Sequence, residues 1–168
     1  MSFNFRNDLE PEYLWAIFDY DPDRGELRRR DHPDLPPNCK HLIGKVVGIR
    51  VTIRGHPYIT SRVIFAMTHG RWPQEQVDHR DRLSSNNRMD NLREATAIQN
   101  GYNRLFKTNT SGHKGVFWSE RHKSWKTQIG ADKRQFHLGY FKDFDEACRI
   151  YDEAALKYHG EFARVAED

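Results

Sequence analysis

Between about residues 72 and 104 the chain turns polar and asparagine-rich, and it separates two segments that carry regular apolar patterns. That division confines a chain of 168 residues to small modules rather than one large core. Apolar residues make up 37% and charged residues 30%, which suits small domains with much surface facing water or a charged partner. Disorder is excluded by the aromatics, which reach 12% and recur along the whole length.

The first segment, residues 1–73, opens with a short helix-like stretch in LWAIFDY, followed by a DPDRG turn and a strand ending in Arg28, Arg29 and Arg30. HPDLPPNCK is proline-rich and predicts a loop. KVVGIRVTI and HPYIT alternate around Arg54-Gly55 and predict a hairpin. SRVIFAMTHG predicts a short amphipathic helix with Val63, Ile64 and Met67 on one face and a stop at Gly70. The third segment, residues 107–168, follows an NTSG link. It reads as three strands, KGVFWS, SWKTQIG and RQFHLGY, then a helix from about Asp143 to Tyr158. Asp143 with Glu146 three residues on forms a capping box, and Gly160 lies beyond the helix end.

The chemistry concentrates in residues 74–106, in QVDHRDRLSSNNRMDNLREATAIQN. An Asp78-His79 pair ends a short strand-like run, Asn91 follows His79 by 12 residues, and Asn100 follows by 9 more within a helical segment. Hydrolysis of a phosphodiester needs a deprotonated water aimed at phosphorus, and imidazole suits that role near neutral pH. It also needs neutralisation of developing charge, which a hard divalent cation with oxygen ligands supplies. One carboxylate, Asp78, and one amide oxygen, Asn100, make a minimal protein contribution to such a cation. Successive strand residues face opposite ways, so a turn immediately after Val77 is expected if Asp78 and His79 are to serve one point.

This segment resembles the His-Asn-Asn version of the HNH motif of phage and intron-encoded homing endonucleases. Asp78, His79, Asp81, Asn87, Asn91, Leu92, Arg93, Thr96, Asn100 and Asn103 carry the pattern. The resemblance implies a ββα-metal fold, one bound Mg²⁺ or Mn²⁺ and cleavage of the DNA backbone. It implies His79 as general base, Asp78 and Asn100 as metal ligands, and Asn91 as the residue that holds the loop and orients the histidine. Arg93 is a candidate phosphate contact and Asn103 a support of the fold. Two positions depart from relatives: Arg82 stands where a glycine or small residue is common, and Ser61 where a histidine is common.

In the third segment, alternation puts Phe136 and Leu138 on one sheet face, with Gln135, His137 and Tyr140 on or near the other; Trp125, Thr127 and Ile129 oppose Lys126 and Gln128. From Arg104 to His137 there are eight basic and two acidic side chains, and from Phe141 to Asp168 four basic and eight acidic. Such a two-faced module offers its basic side to a polyanion. The segment also resembles the ethylene-response-factor (APETALA-type) DNA-binding domain through GV-x-W, W-x-x-x-I, LG-x-F and EAC-x-x-YD-x-AA. That resemblance implies DNA contacts at Lys114, Phe117, Ser119, Lys126, Gln128, Gln135, His137 and Tyr140. Several arginines of that family are replaced here, so its target sequence does not transfer.

The expected fold is therefore α+β: a ββα-metal nuclease module followed by a three-stranded antiparallel sheet packed on one helix. The expected function is metal-dependent nicking of double-stranded DNA at preferred sites, with a non-catalytic DNA-binding regulator as the alternative. With two distant cysteines, no membrane-length apolar run and no secretory signal, a cytoplasmic location is expected, in a bacterial host cell if the gene is a phage's. No coiled-coil pattern appears, so a monomer is expected. His32, Cys39 and His41 lack a fourth ligand and do not predict zinc.

Overall fold

The protein was analysed as a computed structural model that describes residues 6–103 and 111–165. It is a mixed α+β chain dividing into two compact units, Met1–Thr96 and Ala97–Asp168. The NTSG link falls partly outside the described residues.

In the first unit, helix α1 (Pro11–Ile17) starts on a proline, whose missing N–H costs nothing there. Strands β1 (Phe18–Asp21) and β2 (Glu26–Arg29) follow as a hairpin, with Phe18 opposite Arg29. Sequence patterning missed β1, because its four residues directly continue the helix with no breaker between them. A second hairpin, β3 (Arg50–Ile53) and β4 (His56–Ile59), turns at Arg54 and Gly55, both with positive φ. This is the turn geometry that matches the twist of paired strands.

Helix α2 (Thr60–His69) stops at Gly70, which is left-handed, as expected. Its burial differs from expectation. Residues 60–67 are all buried, not one face alone, because α1, β4 and the strand after Pro73 surround it. Arg62 at its start is 3% exposed and its guanidinium donates to the carbonyls of Pro73 and Glu75. The charge is thus used to tie α2 to the chain entering the next strand.

That strand is β5 (Gln76–His79), paired antiparallel with β6 (Leu92–Ala95). The core of the unit joins Leu14, Phe18, Leu27, Val63, Ile64 and Leu92.

The second unit begins with α3 (Ala97–Asn103), followed by strands β7 (Val116–Ser119), β8 (Ser124–Ala131) and β9 (Arg134–Phe141) in sequential antiparallel order. Helix α4 (Phe144–His159) packs on this sheet, with Asp143 accepting from the Glu146 N–H at 2.7 Å as its cap. Val116, Ile129, Ala147, Tyr151 and Ala155 form the core, with Trp125, Phe136 and Leu138 against it. A bulge at Thr127/Gln128 shifts the register, so that Leu138 and Phe141 both reach the core while Tyr140 stays outside. No helix among the described residues is long and apolar enough to cross a membrane.

Gly115 shows how closely α4 meets the sheet. It has φ +74°, and a Cβ there would lie 2.0 Å from Tyr151 Cε2 and 2.6 Å from the Gln128 carbonyl oxygen. Gly115→Ala is expected to destabilise the second unit by about 3 kcal/mol, from overpacking plus the left-handed backbone. Gly112→Ala, also at positive φ but with open space around it, should cost about 1 kcal/mol. Urea unfolding of both variants compares the two.

Candidate active site

The β5–β6 hairpin holds the site by its register. Asp78 faces Arg93 across the strands, and His79 faces Leu92. Asp78 and Arg93 are 5% and 8% exposed, and both Nε and one terminal nitrogen of Arg93 donate to Asp78 Oδ2, at 2.9 and 2.7 Å. This pairing keeps β5 going through His79, so the turn expected after Val77 comes after His79 instead. The Asp78 carboxylate is thereby buried against Arg93, while His79 closes the strand where the loop begins.

The loop from Arg80 to Asn91 is closed by its own polar groups. The Asn91 amide oxygen accepts from the Asp81 N–H at 2.9 Å, while its NH₂ donates to Asp81 Oδ1 and to the Asn86 carbonyl. Asn91 is 7% exposed, so these bonds replace water it no longer sees. Burial pushes the Asp81 carboxyl up, but the Leu83 N–H and the Asn86 and Asn91 amides outweigh it and hold the pKa below its usual value. The resulting stabilisation is present above the ordinary carboxylate range and is lost as pH falls through the lowered value. Arg82, at the tip, has φ +68°, the left-handed conformation a glycine adopts freely.

His79 Nε2 lies 3.0 Å from the Asn87 Oδ1. With that oxygen accepting, Nε2 carries a hydrogen. Asn87 is thus a partner of the histidine ring, whereas the bonds of Asn91 described above go to the loop. Asn87 is itself braced by the first hairpin. Tyr20 donates to its carbonyl at 2.8 Å, and Gly25, at φ +67°, lies so close that a Cβ would be 2.6 Å from the Arg88 nitrogen. Arg88 in turn donates to the Asp23 carbonyl at 2.8 Å. Sequence reasoning missed Asn87 as a functional residue although it carries the motif, and no local signal in DPDRG links that turn to the loop.

Asn100 lies half-buried on α3, in the second unit, and Asn103 is buried at the end of that helix. Among the described residues no group of three or more His, Cys, Asp and Glu is placed to hold a metal ion by itself. The donors available are oxygens, a carboxylate and an amide, which fit a hard cation that keeps several waters and takes the rest from substrate phosphate.

A sequence profile of the family described as HNH endonuclease matches residues 58–102, from β4 through α3. The chain is also 35% identical over 89 residues to Protein 3.8 of Escherichia phage T7, covering 52% of this chain and 73% of that protein. The chain belongs to the HNH endonuclease family. No solved structure matches it. Membership gives this HNH protein a nuclease-type, DNA-acting function.

In the second unit, Phe117, Gln135, His137 and Tyr140 are exposed, and Ser119, Lys126 and Gln128 half-buried. Phe117, Lys126 and Tyr140 stand side by side across the three strands, and Gln128 opposes His137. Lys114 stands apart from them. Its ammonium is half-buried and donates to the Tyr102 and Gly101 carbonyls at the end of α3, and burial pulls its pKa down to about 8. Arg93, likewise, turns its guanidinium to Asp78 inside the hairpin.

Asn91→Ala is expected to destabilise the first unit by about 2–4 kcal/mol, because it removes three hydrogen bonds and leaves the Asp81 N–H unsatisfied. Hydrogen exchange at the Asp81 amide, slow in the wild type and fast in the variant, checks the cause as well as the size.

Proposed function

We propose that this HNH protein is a divalent-metal-dependent DNA endonuclease that nicks one strand at preferred sites. The observation that carries the reading is His79, set at the end of β5 and held by Asn87 within a loop that Asn91 closes. In this reading the His79 imidazole takes a proton from the attacking water while the Asn87 amide holds the ring through Nε2. Asn91 keeps the loop, and with it Asn87, from relaxing away. Asp78 and Asn100 would hold a Mg²⁺ or Mn²⁺, which when bound neutralises charge on the scissile phosphate and on the leaving oxygen. Arg93 positions the Asp78 carboxylate by its two-pronged contact. One His79 per chain supports nicking over cutting both strands.

The open face of the β7–β9 sheet is read as the DNA-contacting surface, as in the ethylene-response-factor domains it resembles. Phe117, Ser119, Lys126, Gln128, Gln135, His137 and Tyr140 offer one cation, amides and aromatic faces in one layer. The rings of His122 and His137 lie 4.1 and 4.7 Å from that of Tyr140, forming an aromatic patch beside Lys126.

A supercoiled plasmid incubated with the protein and Mg²⁺ or Mn²⁺ tests the enzyme reading. Open-circle product is expected, abolished by chelator and reduced about 10²–10⁴-fold in His79→Ala. Undiminished cleavage by His79→Ala would remove His79 from the mechanism, and binding without breaks in any metal would favour a regulator. For the sheet, Lys126→Ala should lower the slope of log affinity against log salt by about one. An unchanged slope places the phosphate contacts elsewhere.

A further inference from the structure

The first unit contains a cavity of about 680 Å³ away from His79 and its loop. Its walls come from β2, from the 3-10 turn Pro37–Leu42, from the segment after it and from β3. Five cationic side chains line it, Arg29, Arg30, Lys45, Arg50 and Arg54, against a single carboxylate, Asp34. Two of the five are already matched: Arg54 bonds Asp34 at 2.6 Å, and Arg30 pairs with Asp19. Arg29, Lys45 and Arg50 have no carboxylate partner among the described residues. Arg29 is half-buried, with one terminal nitrogen on the Thr52 carbonyl at 2.6 Å and its charge 5.4 Å from the centre of the Phe18 ring. A cation drawn from water without an anion is costly, and such an arrangement persists where a ligand supplies the missing charge. The lining also includes the apolar side chains of Ile17, Leu35, Val51 and Ile53.

We propose that this cavity binds a nucleotide-sized phosphate ester, with the phosphate taken by Arg29, Lys45 and Arg50 and the organic part by the apolar lining residues. The volume falls within the range of small-ligand sites, and a lining that combines three cations lacking a carboxylate partner with apolar side chains matches an ester rather than a bare inorganic anion. The ligand comes either from a free nucleotide or from a nucleotide of a bound DNA strand, since both carry the same group. This site is separate from the nuclease reading and does not depend on it.

Cys39 lines the same cavity and is partly accessible, as is Cys148 in the other unit, so alkylation of the two thiols read by mass spectrometry reports occupancy. The full-length protein is alkylated alone, with thymidine, with thymidine 5′-monophosphate and with a single-stranded oligothymidylate. The monophosphate, or the oligonucleotide alone, is expected to slow Cys39 alkylation at least fivefold and leave Cys148 unchanged. Protection by the monophosphate identifies a free nucleotide as sufficient; protection by the oligonucleotide alone identifies a strand. Lys45→Glu/Arg50→Glu, both exposed positions, should remove the protection with an unchanged melting temperature, and His79→Ala should keep it. If the double variant melts lower, Lys45→Gln/Arg50→Gln is used in its place, with the same loss expected. No protection of Cys39 by either phosphate probe, equal protection by thymidine, or protection that survives the charge changes overturns the proposal.

Discussion

The pairing of Asp78 with Arg93 governs the arrangement around it. Withdrawing either charge from water alone costs several kcal/mol, and here both side chains are almost fully enclosed, at 6% and 7% exposure. A slip of one residue between β5 and β6 would send each charge to the opposite face and leave both unmatched. The pair therefore fixes which residue ends the strand, and that residue is His79. It also fixes where the loop begins and ends, so that Asn91 returns opposite Arg80 and its side chain can close the loop on Asp81. The carboxylate proposed as metal ligand is held in place by the same contact that neutralises it.

The loop is supported from two sides. Within it, Asn91, Asp81 and Asn86 satisfy one another; outside it, Tyr20, Asp23 and Gly25 hold residues 87 and 88. Apart from Met89, which packs against the core, the loop is held by these polar contacts, and small displacements of a catalytic histidine have large effects on rate. The part of the chain before residue 58, outside the span matched by the family profile, thus braces the residue that contacts His79.

Local chemistry was legible in the sequence; contacts between distant segments were not. The Arg54-Gly55 turn, the Gly70 stop and the Asp143 cap were readable because each depends on residues within a few positions of one another. The sheet-plus-helix order of the second unit followed from period-two and helical patterns, with the bulge at Thr127/Gln128 the detail alternation could not give. Strand β1, the full burial of α2 and the extension of β5 through His79 were missed, because tertiary partners decide each. Asn87, Gly25 and the cavity around Arg29 depend on contacts separated by tens of residues, which spacing alone does not reveal. The motif itself, continuous in sequence, runs across the unit boundary: Asp78, His79 and Asn91 belong to the first unit, and Asn100, on α3, to the second.

The nuclease reading depends on the proposed metal-binding roles of Asp78 and of Asn100. Electron paramagnetic resonance of Mn²⁺ titrated into the protein bound to a DNA duplex tests it most directly. The account predicts one ion per chain, retained in His79→Ala and weakened at least tenfold in Asn100→Ala and in Asp78→Asn/Arg93→Gln, where the second change avoids stranding a buried charge. Mn²⁺ affinity unaltered by both of those changes would contradict it.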